Sequence, residues 1–349
     1  MCFGVIMSQH FLLSAQARTL SAYKVMQMSE ADAFSVFKEL RWGAGEMVAC
    51  PICGVVGKHA FRKDRNQWKC QDCAHTFSVT SGTIFSNHKL PLKKYLAAIA
   101  IFANAAKGVS ALQLSRDLGT QYKTAFVLAH KIRESLMEHR DESALAGEIH
   151  MDGAYVNGHI RPKNKKEDRI DRRLAIHQKP NKRCVFVMRQ AFDPKDLSSN
   201  ILKGANKTIT FILKTENQED VSKLANEFVK KGSAICADES NAYDPLHAKF
   251  DTRRVNHSVE YRSDDGTTNN LAESYFSRFR RMQYGQMHRF GNLYLDNYAN
   301  EAAFREDTRR WRNGAIFMEV TKRCAKTRAS RDWTGYWQGN KRDAERLAA

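Results

Sequence analysis

The chain has 349 residues and a formal net charge of +18, with a pI near 9.6. That length exceeds one ordinary compact domain and points to two or three, and a hydrophobic share of 42% is enough to build real cores. No run of about eighteen apolar residues occurs, which excludes a membrane-spanning helix. The first seventeen residues hold no Lys or Arg, so they lack the basic start of a signal peptide.

A globular protein this basic repels itself, so the excess charge calls for an anionic partner. Ten Lys/Arg stand against three acids over 161–183, and twelve against six over 305–349, so the charge is spread through the chain. Such spreading suits a long phosphate-lined groove better than a single tail, and nucleic acid is the expected partner. Of eight cysteines, four fall in paired spacing. With no export signal, that pattern predicts a metal site in a reducing cytoplasm.

Residues 1–28 show no clear pattern; they read as a flexible leader, or the true start is Met26 or Met28. Ser29 and Asp32 form a capping box that opens a short helix with Phe34, Phe37 and Leu40 on one face. Residues 46–88 form a cysteine-rich unit. Over 89–140 the pattern is helical: Leu92, Leu96, Ile99 and Ala103 share a face, Ser110 heads a second helix, Gly119 turns the chain, and Tyr122–Met137 form a third. The last two resemble a helix-turn-helix, with three simply packed helices as the alternative.

From 148 the pattern changes to strands at Glu148–Val156, Arg173–His177, Cys184–Gln190, Thr208–Leu213 and Ala234–Ala237, with a further one near Thr252–His257. A helix over 218–231, closed by Gly232 as its C′ residue, interrupts them. Helices return over Asn269–Tyr284 and Asn292–Asp307, and 308–349 reads as a basic C-terminal tail. Strands followed by alternating helix and strand imply an α/β domain over 146–307 built on one mixed sheet.

Cys50-Pro-Ile-Cys53 and Cys70-Gln-Asp-Cys73 are separated by sixteen residues. Each pair sets two thiolates on a tight turn, and two such turns make a tetrahedral all-sulfur site suited to Zn²⁺. Four ligands leave no open position, so the metal is structural, and it substitutes for a core that some forty residues cannot build. Phe61, Trp68 and Phe77 are expected to cover it. Lys58, Arg62, Lys63, Arg65 and Lys69 make this ribbon basic, which favours contact with nucleic acid.

Metal-assisted phosphoryl transfer needs carboxylates held close enough to clamp two hard cations through oxygen ligands. Asp152 lies inside a strand signal, and Asp238 directly follows the strand Ala234–Ala237. A third group is expected from the helix that starts near Asn269, where Asn270 and Glu273 share a face and Arg280 lies two turns along it. Glu148, Asp264, Asp265 and Glu301 are competing acids. Tyr155 and Tyr243 lie near the acids, but no base is arranged to activate them.

These motifs together resemble the zinc-ribbon-bearing DDE transposases of bacterial insertion sequences, over roughly 30–307. The resemblance runs through Arg41-Trp42-Gly43, the two cysteine pairs, and Phe77-Ser-Val-Thr-Ser-Gly-Thr-Ile-Phe85. It continues through Met151-Asp152-Gly153-Ala154-Tyr155, Ala237-Asp238 and Asn270-Leu-Ala-Glu273-Ser-Tyr-Phe276, then Gly285-Gln-Met-His288 and Tyr298-Ala-Asn-Glu301. It implies a ribonuclease-H-like core whose metal ligands align with Asp152, Asp238 and the Asn270/Glu273 helix. Glu273 is favoured as third ligand because a carboxylate adds charge that an amide lacks. Here Arg280, with Arg281 beside it, stands where the family tends to carry Lys. Gly153 stands where an acid is common, and Thr268 where His is common.

The implied activity is that of a transposase: Mg²⁺- or Mn²⁺-dependent DNA cleavage and strand transfer at element ends. Asp152, Asp238 and Glu273 would hold the ions, with Asn270 assisting, and Arg280, Arg281 and His288 would position phosphates. The ribbon and the helices of 89–140 would find the terminal repeats, and Trp311, Trp333 and Trp337 could stack on bases. The expected partners are double-stranded DNA and further copies of the chain, acting at the nucleoid in the cytoplasm. Two alternatives are a zinc-ribbon DNA-binding protein without catalysis and a ribonuclease-H-like nuclease.

Overall fold

The computed structural model describes residues 11–45, 47–171, 175–193, 204–255 and 268–348. The chain divides into two compact units, Met1–Arg140 with Arg310–Lys341 and Asp141–Arg309 with Arg342–Ala349. No helix among the described residues is long and apolar enough to cross a membrane.

The first unit is helical around a small three-stranded ribbon. Helix α1 (Ala22–Met26) precedes α2 (Glu30–Trp42), which opens with the expected capping box between Ser29 and Asp32. Of the segment expected to be a leader, residues 1–10 lie outside the described residues, and residues 19–25 are tied down. Val25 is buried, and Asn313 Oδ1 accepts from the amides of Thr19 and Leu20, both at 2.8 Å. The ribbon strands β1 (His59–Arg62), β2 (Gln67–Cys70) and β3 (Thr76–Phe77) pair antiparallel in that order. Helix α3 (Leu92–Asn104) is apolar on nearly every side and buried accordingly. Its first amides lack a capping side chain of their own, and the Glu30 carboxylate supplies one, accepting from Leu92 N at 2.5 Å and Lys93 N at 3.2 Å.

Helices α4 (Ala111–Leu118) and α5 (Tyr122–Glu138) follow, joined by Gly119 in the left-handed conformation at φ 57°. Most of α5 is buried; its first turn, Tyr122, Lys123 and Thr124, is exposed. The segment read as a basic tail is not one: Asn313–Lys326 forms helix α9, with Phe317, Val320 and Cys324 buried against α3 and α5. Its apolar positions recur at helical spacing beneath a high density of Lys and Arg, which masked them.

The second unit carries a five-stranded mixed sheet in the order β6-β5-β4-β7-β8. Strands β4 (Glu148–Val156), β5 (Arg183–Ala191) and β6 (Ala205–Leu213) form an antiparallel meander. Strands β7 (Ala234–Asp238) and β8 (Asp251–Val255) add in parallel beside β4. This is a ribonuclease-H-like core. Both faces are covered, as a parallel half requires. Helix α6 (Gln218–Phe228) and the turn Asn241–Ala248 pack on the face of Ile149, Met151, Phe186 and Ile235. Helices α7 (Asn270–Met282) and α8 (Leu295–Asp307) pack on the face of Ala154, Val156, Val185 and Val187.

Two local expectations change. The strand expected over Arg173–His177 is instead a 3-10 turn at Ala175–His177, with 172–174 outside the described residues. Strand β5 already pairs with β4 on one side and β6 on the other, so no free ladder remains for it there. Helix α6 stops at Phe228, because buried Val229 turns extended and bridges Leu145, so Gly232 is not its C′ residue.

One buried cation ties the layers of this unit together. Arg189 on β5 is 2% exposed. It donates to Leu271 O at 2.6 Å and Ser274 Oγ at 2.9 Å on α7, to Thr208 Oγ1 at 3.0 Å on β6, and pairs with Glu306 at 3.5 Å on α8. Thr208 in turn donates to Asp307 through its amide at 2.9 Å and its hydroxyl at 2.6 Å. Removing one partner of such a network leaves buried charge uncompensated. Arg189→Met should therefore destabilise the unit by about 3–5 kcal/mol; urea unfolding of wild type and variant side by side tests this, and a loss under about 1 kcal/mol would contradict it.

Candidate active site and zinc centre

The four cysteine sulfurs meet in one cluster, with Cys50–Cys73 at 3.7 Å and Cys53–Cys70 at 3.6 Å. A tetrahedron of Zn–S bonds of about 2.3 Å has edges of about 3.8 Å, so the spacing fits a zinc ion. Thiols this close cannot all ionise without a cation. Burial raises Cys50, but the amides of Cys53 and Ile52 outweigh it and bring it down to about 7. The Val55 amide lowers Cys53, but burial and the neighbouring sulfurs prevail and push it up to about 12. His59 lies outside this four-sulfur cluster, and its Nε2 lies 2.9 Å from the carbonyl of Val48.

Aromatic rings stand in for a larger core. Trp68 and Phe77 are buried, and Trp68 stacks on Phe34 of α2 at 5.5 Å and on Phe77 at 5.8 Å. Phe61 covers only part of this cluster and is 43% exposed. Lys58, Arg62, Lys63, Arg65 and Lys69 all lie on the exposed side of the ribbon. Stripping the metal, or Cys70→Ser, should release about one zinc per chain and red-shift the tryptophan emission as Trp68 is uncovered. Retention of both native emission and fold after complete metal loss would refute a structural ion.

In the second unit, parallel pairing puts His150 opposite Cys236. Two residues further along each strand stand Asp152 and Asp238, on the same face by strand alternation. Asp152 Oδ1 accepts from the Gly153 amide at 2.8 Å, and Asp238 Oδ1 accepts from the Ser240 amide at 3.0 Å. Burial, then the like charges of Asp238, Glu216 and Glu273, push Asp152 up to about 7. The fold thus brings Asp238 and Glu273 each into electrostatic reach of Asp152.

The start of α7 is anchored beside this pair. Asn269, 1% exposed, donates its Nδ2 to Met151 O at 3.0 Å. Asn270 and Glu273 then lie on the solvent side of α7, and Arg280 and Arg281 are exposed at its far end. Seven residues of helix separate Glu273 from Arg280 by about 10 Å, so the arginines stand about two turns beyond the acid. A π-turn at Gln283–Met287 follows and leaves His288 exposed at φ 57°, a costly conformation for a residue with a Cβ.

The competing acids separate. Glu148 Oε1 lies 2.9 Å from His150 Nε2, and Glu301 is wholly buried and paired with Arg305 at 2.8 Å. Asp264 and Asp265 lie outside the described residues. Of the three tail tryptophans, Trp333 is not available for stacking on DNA: it is 3% exposed, donates to the Glu134 carboxylate and stacks on His130 at 5.1 Å. Trp311 and Trp337 are 46% and 71% exposed.

One acid was not foreseen. Glu216, between β6 and α6, lies over the backbone of Gly153, where an added Cβ would sit 2.7 Å from its carboxyl carbon. Its Oε1 accepts a 2.5 Å hydrogen bond from the buried hydroxyl of Tyr243. An acid just ahead of a helix reads in sequence as an ordinary partner of the helix dipole. The available signal was Gly153 itself, since glycine inside a strand marks a close approach.

Known proteins support this picture. Residues 144–307 match the family model of an ISXO2-like transposase domain, and residues 28–76 match that of a transposase zinc-ribbon domain. The acids fall inside the first match and all four cysteines inside the second, so a segment similar to a transposase zinc ribbon precedes one similar to a transposase DDE domain. Both matched domain models are of the IS1595 type. A curated relative, described as an uncharacterized protein in transposable element ISH50 of Halobacterium salinarum, is 24% identical over 225 residues, covering 63% of this chain and 70% of that protein. No solved structure matches.

The raised Asp152 has a thermodynamic consequence. Its folded pKa of about 7 exceeds the ordinary 3.8, so the folded chain holds a proton that the unfolded chain releases. The stability it contributes is full below about pH 4 and is lost as pH rises through about 7. Without added Mg²⁺ or Mn²⁺, Asp152→Asn should therefore stabilise the protein by on the order of 2–4 kcal/mol at pH 8, fading toward pH 4. Thermal melts across that range decide it, and a gain independent of pH would show that Asp152 is not crowded.

Proposed function

We propose that this protein cuts DNA at the ends of its insertion sequence and joins those ends to target DNA. The observation that carries this reading is the meeting of Asp152 and Asp238 on adjacent strands, within the segment that matches a transposase domain. The donor set is all carboxylate oxygen, with Asp152 crowded by like charge, which fits hard divalent ions such as Mg²⁺ or Mn²⁺. When bound, such ions supply Lewis acidity at phosphorus and activate the attacking oxygen.

Asp152, Asp238 and Glu273 hold the ions, with Asn270 beside Glu273 as a neutral oxygen donor or a DNA contact. Asp152 is fixed on the central strand and Asp238 by its turn to Ser240. Glu273 rides on α7, which Asn269 and Arg189 lock against the sheet. Arg280 and Arg281 bind phosphates on either side of the scissile group, Arg280 through its planar fork, and His288 adds a donor beyond the π-turn. Water attacks the phosphodiester to free a 3′-hydroxyl, and that hydroxyl then attacks a target phosphodiester, expelling its 3′ oxygen. No covalent protein–DNA intermediate is required.

The basic ribbon face and the exposed first turn of α5 bind the double-stranded terminal repeats. Two ends are handled together, so the active form is a homo-oligomer on DNA, at the nucleoid in the cytoplasm. Purified protein should nick a duplex bearing its flanking repeat and transfer the strand in Mg²⁺, with both activities lost in EDTA and in Asp238→Ala. Tight repeat binding without cutting in any divalent ion would identify a DNA-binding protein instead. Cutting without joining would identify a nuclease.

A further inference from the structure

We propose that Glu216 is a fourth carboxylate of the metal-holding set, seated in the space left by Gly153 and aimed by the hydroxyl of Tyr243. This rests on the reading of Asp152 and Asp238 as metal-holding acids.

Three observations converge. Gly153, the residue after Asp152, has no side chain, and the Glu216 carboxyl group fills that volume: both of its oxygens would lie within 2.8 Å of an added Cβ. A carboxylate does not pack against backbone beside two other acids without a reason, because like charges and desolvation both oppose it. Burial and Asp238 accordingly push Glu216 upward, against the pull of Tyr243.

Second, Glu216 is held in place. Tyr243 is fully buried at the sheet face, and its hydroxyl donates to Glu216 Oε1 at 2.5 Å. On the other side the Glu216 amide donates to the hydroxyl of Tyr155 at 3.2 Å. The bond to Tyr243 leaves Oε2 beside Gly153 and free of that phenol, and the charge of Glu216 is felt at Asp152. Tyr243 is thus a positioning residue, which recasts the two tyrosines near the acids as supports and not nucleophiles.

Third, Glu216 also lines an open cleft of about 550 Å³ with Asn217, Ser240 and Asn241, so this acid is reachable from solvent. Charge agrees as well. Three carboxylates carry one unit less than the charge of two dications allows for balance, and a fourth supplies it. Asp152 then lies between two acids from different elements, Glu216 ahead of α6 and Glu273 on α7, with Asp238 beside it.

Mn²⁺ binding to the full-length protein, measured by calorimetry with melting curves in EDTA as a folding control, tests this. Glu216→Gln should weaken Mn²⁺ binding on the order of 100-fold, and Tyr243→Phe, which removes only the aiming hydroxyl, by about 10-fold. Gly153→Ala is the sharper probe. The atoms nearest its new methyl group are the end of a flexible side chain, so the variant should fold normally yet lose affinity as Glu216→Gln does. If Asp152→Asn and Asp238→Asn weaken binding while Glu216→Gln and Gly153→Ala leave it unchanged, Glu216 is not a ligand and the acid pair stands. If no variant changes Mn²⁺ binding, the acid pair itself falls, and Glu216 with it.

Discussion

The catalytic-type unit depends on the buried guanidinium of Arg189. A planar group with five donors can address several layers at once, and here it reaches the first turn of α7, strand β6 and the end of α8. Helix α7 carries Glu273 to a sheet whose own acids stand on β4 and β7, so the angle and height of that helix decide whether the acids converge. Hydrophobic contact alone specifies such an angle poorly, because apolar surfaces slide at little cost. Hydrogen bonds to Leu271 O and Ser274 Oγ do specify it. The cost is a buried cation, met by Glu306 and, through Thr208, by Asp307, whose own carboxyl burial pushes up to about 7.

The acid site shows the opposite arrangement. Around Arg189 every charge has a counterpart, whereas around Asp152 like charges accumulate and no cation stands among those that set its pKa apart. The same chain therefore contains a charge-paired buried network that holds shape and a site where like charges crowd Asp152. The zinc ribbon repeats the second pattern on a smaller scale, with four sulfurs at the edge lengths of a zinc tetrahedron. In both places like groups crowd together, an arrangement that a bound cation would relieve.

How far the sequence could be read varied with the range of the interaction. The capping box at Ser29, the cysteine pairs and the strand 148–156 are all present where the spacing put them. Each is encoded by neighbours in the chain. The strand expected at Arg173–His177 and the C′ role of Gly232 failed because pairing partners, not local preference, decided them. Trp333 looked like a stacking platform among basic residues and is instead sealed over His130 and Glu134. Helix α9 lay hidden in a stretch whose charge density suggested a free tail.

Short-range chemistry therefore settled the zinc ligands, the helical periods and the class of the α/β domain from sequence alone, and the strand-borne acids Asp152 and Asp238 could be named from it. Tertiary structure decided what those acids meet. The order β6-β5-β4-β7-β8 sets β4 beside β7 although some eighty residues separate them in the chain. The loop after β6 folds back so that Glu216 lies on Gly153 and beneath Tyr243. These contacts join residues distant in sequence whose types carry no mark of the meeting, because strand pairing depends on which long loop closures the whole core makes favourable.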